Sequence, residues 1–205
     1  MASGALTDKQ IWDLAKRMGL DLEFVDFKDD LMTHKLEYDK GYIINLSDQY
    51  DKNGKQNEGT HWTGLIVRKY PNGKVAPMYF DPFGVQCPKD VTNFVKKYTG
   101  FSEVPHNTRD IQSILDGICG YYVLAFLYYV TKYEGRSGEL YHDSDTFLNM
   151  FDDLNVSCDF KKNEFILKHF FRSAKKDERI PIDVENHITK DNPDSINMPV
   201  DTRFV

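Results

Sequence analysis

Apolar positions recur with a helical period over residues 7–19, where Ile11, Trp12, Leu14, Ala15 and Met18 form one stripe. Thr7 stands where a helix cap belongs and Gly19 where a helix ends. A charged link of no evident period leads to Gly41. Residues 41–47 (GYIINLS) read as a short strand, and 48–60 as a polar loop with a turn signal at Asn53-Gly54. The runs 61–70 (HWTGLIVRKY) and 75–84 (VAPMYFDPFG) then read as a β-hairpin turning at Asn72-Gly73. The second strand stops at Asp81-Pro82, because proline cannot continue a central ladder. A helical period follows over 88–98 with Pro88 at its front, and a short strand is expected at 104–112, carrying Arg109, Ile111 and Gln112. Residues 121–130 are apolar or aromatic without a break, which predicts a helix buried all round. Two more helices are expected at 143–152 and 161–174. The order of elements predicts an α+β fold: a mixed, mainly antiparallel sheet packed against a central buried helix.

From Lys175 to Val205 the pattern changes. Pro181, Pro193, Pro199 and many acids replace the large apolar residues, so the chain divides into one domain over 1–174 and an extension over 175–205. Ile180, Ile182 and Val184 alternate with Pro181 and Asp183 as in an edge strand. This raises the hypothesis that the extension wraps the body as a built-in brace or activator. Truncation at Lys176 should then lower activity or stability.

The composition narrows the function classes. A net charge of −6 argues against a nucleic-acid binder, whose surface normally carries a basic stripe. Three cysteines (Cys87, Cys119 and Cys158) with no C-x-x-C fit neither a disulfide framework nor a structural zinc site, and point to a reducing compartment. The N-terminus lacks the apolar core of a signal peptide, and the longest apolar run is too short to cross a bilayer. No metal, cofactor or membrane partner is expected.

Candidate chemistry centres on Cys119, between Gly117 and Gly120 at the mouth of the buried helix. A thiol there feels the positive end of the helix dipole, which favours the nucleophilic thiolate, and Gly120 leaves room for substrate backbone. A cysteine nucleophile needs a base, and the base needs orienting. Of six histidines, His61 stands out: it opens a strand after a flexible loop, with Trp62 beside it to shield the pair from water. The hairpin turn lies midway between His61 and Asp81, so the strand ends meet and bring the two within cross-strand reach. On residues alone, Asp81 reads equally well as the start of an Asp-Pro turn with a local side-chain contact. Gln112 is a candidate oxyanion donor with the Cys119 amide, although taken alone it reads better as a polar strand-end residue. Cys87 has no histidine close in sequence, and Cys158 lies among acids, which disfavour a thiolate.

The ordered set His61-Trp62, YFDPFG at 79–84, Gln112 and Cys119-Gly120 resembles the adenovirus-type maturation proteases, which belong to a wider group with the ubiquitin-like-protein proteases. The resemblance covers roughly residues 7–135. It implies a papain-like constellation in a different chain order, with 1–174 as the catalytic domain. Cys119 would be the nucleophile, His61 the base and Asp81 its orienter. Gln112 would serve the oxyanion hole, and Trp62 and Gly120 would line the substrate groove. The implied work is cleavage of viral capsid precursor proteins during maturation, in the virion and at the host-cell site of assembly. The chain departs from adenovirus enzymes in being acidic and in placing Phe101 where their peptide-linking cysteine is expected. No disulfide-linked activating peptide is therefore expected, and the charge argues against activation by DNA. The chain looks more like a relative from a virophage or another double-stranded DNA virus. Two other readings stand beside this one. A ubiquitin-like-protein isopeptidase often places Asp directly before Cys-Gly, whereas here Gly117 and Ile118 follow Asp116. A non-enzymatic capsid-associated protein would not need all four residues intact.

Overall fold

The computed structural model describes residues 5–114, 117–157 and 159–174, the last three by backbone alone. The first helix, α1 (Asp8–Arg17), opens on Thr7, whose hydroxyl accepts the Gln10 amide while the Gln10 side chain takes the Thr7 amide. This reciprocal cap satisfies two of the donors that a helix start leaves orphaned.

The charged link after α1 contains a strand that the sequence pattern hides. β1 (Leu22–Phe27) pairs in parallel with β2 (Gly41–Asn45). Its buried residues do not alternate cleanly, and Glu23 and Asp26 interrupt its apolar run, so it carries little period-two signal. β2 pairs antiparallel with β3 (Trp62–Lys69), and β3 with β4 (Val75–Phe80). The sheet order is β1-β2-β3-β4. The fold is thus α+β with a mixed, mainly antiparallel sheet, as expected.

Both faces of the sheet are covered. On one lie Ile43, Ile66, Met78 and Phe80, packed against α1, α3 (Cys119–Lys132), α4 (Leu140–Leu148) and α5 (Phe160–Ala174). On the other lie Tyr42, Ile44, Leu65, Val67 and Tyr79, packed against α2 (Lys89–Thr99) and a 3₁₀ turn at Leu31–Thr33. Every residue of β2 is therefore buried, which explains its unbroken apolar run. α3 is the central post: Cys119 to Leu127, Tyr129 and Val130 are all buried, and Phe80 stacks on Phe126 with ring centroids 4.3 Å apart.

Two boundaries differ from the sequence pattern. The segment 104–112 is not a strand. It touches the sheet at one parallel bridge, His106 to Tyr79, and otherwise runs as an irregular strap across the end of β4. Its backbone groups bond to turns and side chains instead of a ladder, which a pattern of apolar residues cannot register. α4 begins at Leu140, ahead of the expected 143, because Asp143 holds the preceding turn by accepting the amides of Ser137 and Gly138. The extension 175–205 lies outside the described residues.

Candidate functional site

The site gathers where β3 begins, β4 ends and α3 starts. His61 precedes β3, yet its backbone is held: its carbonyl accepts the Leu46 amide at 3.0 Å, continuing the β2–β3 ladder. Asp81 follows β4 and is 1% exposed. His61 Nε2 lies 2.8 Å from Asp81 Oδ1. The two are not directly opposite. Carried past its last pair, Gly64 with Phe80, the register sets His61 across from Phe83, and the His61 and Phe83 rings stack at 4.4 Å with planes 20° apart. Asp81 reaches His61 on the diagonal, which is still within range of a carboxylate.

The contact with His61 and the Asp-Pro turn expected of Asp81 occur together. Its Oδ1 also accepts the Phe83 amide at 2.9 Å, and its carbonyl accepts the Gly84 amide at 2.8 Å, so Asp81 starts the turn and touches the imidazole. Gly84 closes that turn with φ 68°, in the left-handed region. A Cβ at Gly84 would stand 2.8 Å from the backbone of Thr108 and Arg109, so the turn and the strap meet without room for a side chain.

Cys119 is the first residue of α3 and is 5% exposed. Beyond the last β4 pair, the Trp62 amide faces no strand carbonyl and donates to Cys119 Sγ at 3.4 Å. The Cys119 side chain lies beside the His61 ring and helps to raise its pKa. Since Nε2 is engaged by Asp81, Nδ1 is the nitrogen left for the thiol. Burial opposes a charge on His61, but the hydrogen bond to Asp81, the neighbouring Cys119 side chain and the Asp81 charge outweigh it and raise the imidazole from 6.5 to about 9. At neutral pH the arrangement therefore favours an imidazolium held between a carboxylate and a sulfur. The first turn of α3 carries no acidic residue to compete for its amides. A thiolate so paired can attack an acyl carbon, and the imidazolium can return a proton to a leaving group.

Gln112 is 2% exposed on the strap. The neighbouring Ile111 amide donates to the Pro82 carbonyl at 2.9 Å, and the Gln112 amide to Asp110 Oδ1 at 3.3 Å. Residues 115 and 116 of the link from Gln112 to Cys119 lie outside the described residues. Trp62 is 8% exposed, and its indole Nε1 donates to the Leu6 carbonyl at 2.8 Å. The space in front of Gly120 is occupied by the chain itself: a Cβ there would meet Leu6 at 3.2 Å and Ile11 at 3.6 Å. The Trp62 indole N–H and the open side of Gly120 thus look onto the N-terminal segment. Cys87 belongs to the core on the α2 side, where burial pushes its thiol up to about 11, partly offset by the Thr92 hydroxyl. Cys158 lies outside the described residues.

Three contributors escaped the sequence reading. Phe83 was visible in principle, by carrying the hairpin register two residues further. Leu6 gave no signal beyond being apolar. Asn107, whose side chain bonds both backbone groups of Asp81, depends on the path of the strap and gave none.

Among the described residues, no three His, Cys, Asp or Glu side chains gather as a metal ion would require, and no helix is long and apolar enough to cross a membrane. No protein-family model matches the chain, and no curated protein matches it.

Proposed function

We propose that the chain is a cysteine endopeptidase of the adenovirus maturation type, cleaving capsid precursor proteins of a double-stranded DNA virus in the virion and at the site of assembly. The observation that carries this reading is one imidazole with Nε2 at 2.8 Å from the buried Asp81 carboxylate, beside the thiol that opens α3, whose Sγ accepts the amide of Trp62, the residue after His61, at 3.4 Å. The Cys119 thiolate attacks the scissile carbonyl carbon. The resulting oxyanion is met by the Cys119 amide, one of the orphan donors of the helix start, and by the Gln112 side chain. The C–N bond breaks as His61 gives its proton to the leaving amine. Water then attacks the thioester, passes a proton to His61 and releases the acid and the thiolate. Asp81 holds the ring in the tautomer and orientation that both steps need.

The test is labelling by an electrophilic peptide, read by mass spectrometry, with cleavage measured on glycine-containing precursor peptides and on ubiquitin-like conjugates. Cys119 should be labelled, the label should be lost in His61→Ala, and the precursor peptides should be cut. Turnover of ubiquitin-like conjugates alone would move the chain to the isopeptidases. Cleavage that survives in Cys119→Ala, or a wild-type chain that neither labels nor cleaves, would overturn the peptidase reading.

A further inference from the structure

We infer that Asn107 is a positioning residue that sets the Asp81 carboxylate on His61. The inference rests on the peptidase reading for its meaning in catalysis, but not for its test. β4 ends at Phe80, so the backbone groups of Asp81 fall outside the ladder and, being buried, must find partners elsewhere. Asn107 supplies both. Its Oδ1 accepts the Asp81 amide at 2.9 Å, and its Nδ2 donates to the Asp81 carbonyl at 2.6 Å. A carboxamide presents an acceptor and a donor side by side, as a peptide group does, so Asn107 extends the sheet by one residue using a side chain. It is 3% exposed, and its Nδ2 also reaches the Arg109 carbonyl at 3.1 Å.

The clamp has rigid backing. The Pro105 carbonyl accepts the Tyr79 amide on one side of Asn107, and the Ile111 amide donates to the Pro82 carbonyl on the other, both at 2.9 Å. Asp81 Oδ1 serves His61 and the Phe83 amide together. A small rotation of the Asp81 backbone would therefore break both contacts at once. Because the same strap continues to Gln112, Asn107 also registers the oxyanion donor against the carboxylate.

Asn107→Asp keeps the shape but turns an oxygen toward the Asp81 and Arg109 carbonyls. Asn107→Ser is the milder variant and serves where the first does not fold. The midpoint of the His61 side-chain titration, followed by NMR without substrate, should move from about 9 toward neutral in either variant. With peptide, kcat/KM should fall roughly tenfold to a hundredfold with KM nearly unchanged, and its basic limb should move down in step. Asp143→Asn weakens the buried side-chain hold on the turn before α4, away from His61; it should lower thermal stability and leave the His61 midpoint in place. If the Asn107 variants fold, lose stability and keep the wild-type midpoint, Asn107 is a structural clamp only and the inference fails. A wild-type chain that cleaves nothing removes the peptidase reading, while the His61 midpoint still decides the part played by Asn107.

Discussion

Asp81→Asn removes one negative charge from the site while keeping its shape. The rise of His61 from 6.5 to about 9 corresponds to roughly 3 kcal/mol in favour of imidazolium. Burial opposes that rise; among the favourable contributions, the hydrogen bond to Asp81 leads, followed by the neighbouring Cys119 side chain and then the Asp81 charge. Removing the Asp81 charge should withdraw about half of the net gain or more. The amide also fits poorly. With its oxygen kept on His61 and Phe83, its NH₂ takes the place of Oδ2, which is buried without a hydrogen-bond partner among the described residues, at a cost of about 1–3 kcal/mol. With the amide flipped, a donor faces Nε2 and forces the wrong tautomer. The sign follows from the raised value. Imidazolium stabilises the wild-type fold fully below about pH 6.5, and this contribution is lost as pH rises toward about 9, so the variant should be most destabilised in acid and neutral solution and least above pH 9. The assay is kcat/KM against pH on a cleavable peptide, beside urea unfolding at several pH values. The basic limb should fall from near 9 by about one pH unit or more, and the loss of activity should be smaller than that of His61→Ala. A variant with full activity and its basic limb still near 9 would remove Asp81 from the orienting role.

Other outcomes are open to direct measurement. Cys119→Ala should fold normally and abolish hydrolysis, and Gln112→Ala should cost on the order of 10²–10³ in kcat if its amide serves the oxyanion; a tenfold effect or less would leave Gln112 as packing. Iodoacetamide at neutral pH should alkylate Cys119 well before Cys87, whose thiol is held up to about 11 by burial; equal rates by mass spectrometry would contradict the ion pair. Gly84→Ala should lower unfolding free energy by about 2 kcal/mol or more, from a left-handed backbone and a clash with the strap. An unchanged melting temperature would refute that account.

Legibility in the sequence followed the range of the interactions. α1, the hairpin and the buried post were readable because caps, turn residues and apolar periods act within a few positions. Thr7 and Gln10 cap one another across a single turn, and the run after Cys119 is apolar all round because α3 is covered on every side. The hairpin also foretold that His61 and Asp81 would meet, since two strand ends joined by one short turn have nowhere else to go. β1 was hidden because a parallel edge strand with Glu23 and Asp26 in it has no clean alternation. The strap at 104–112 was misread as a strand because its apolar residues suit one, while its bonds go to Pro82, Tyr79 and Asp81 from positions far apart in the chain. By itself, the sequence determined the α+β class, the buried helix and the candidates His61, Asp81, Gln112 and Cys119. Tertiary structure alone decided that Asp81 both begins its turn and holds the imidazole, that Phe83 stacks on that ring, that Leu6 faces Gly120, and that Asn107 completes the end of β4. The physical reason is that each of these contacts closes a long loop of chain, and no local pattern encodes which distant group arrives.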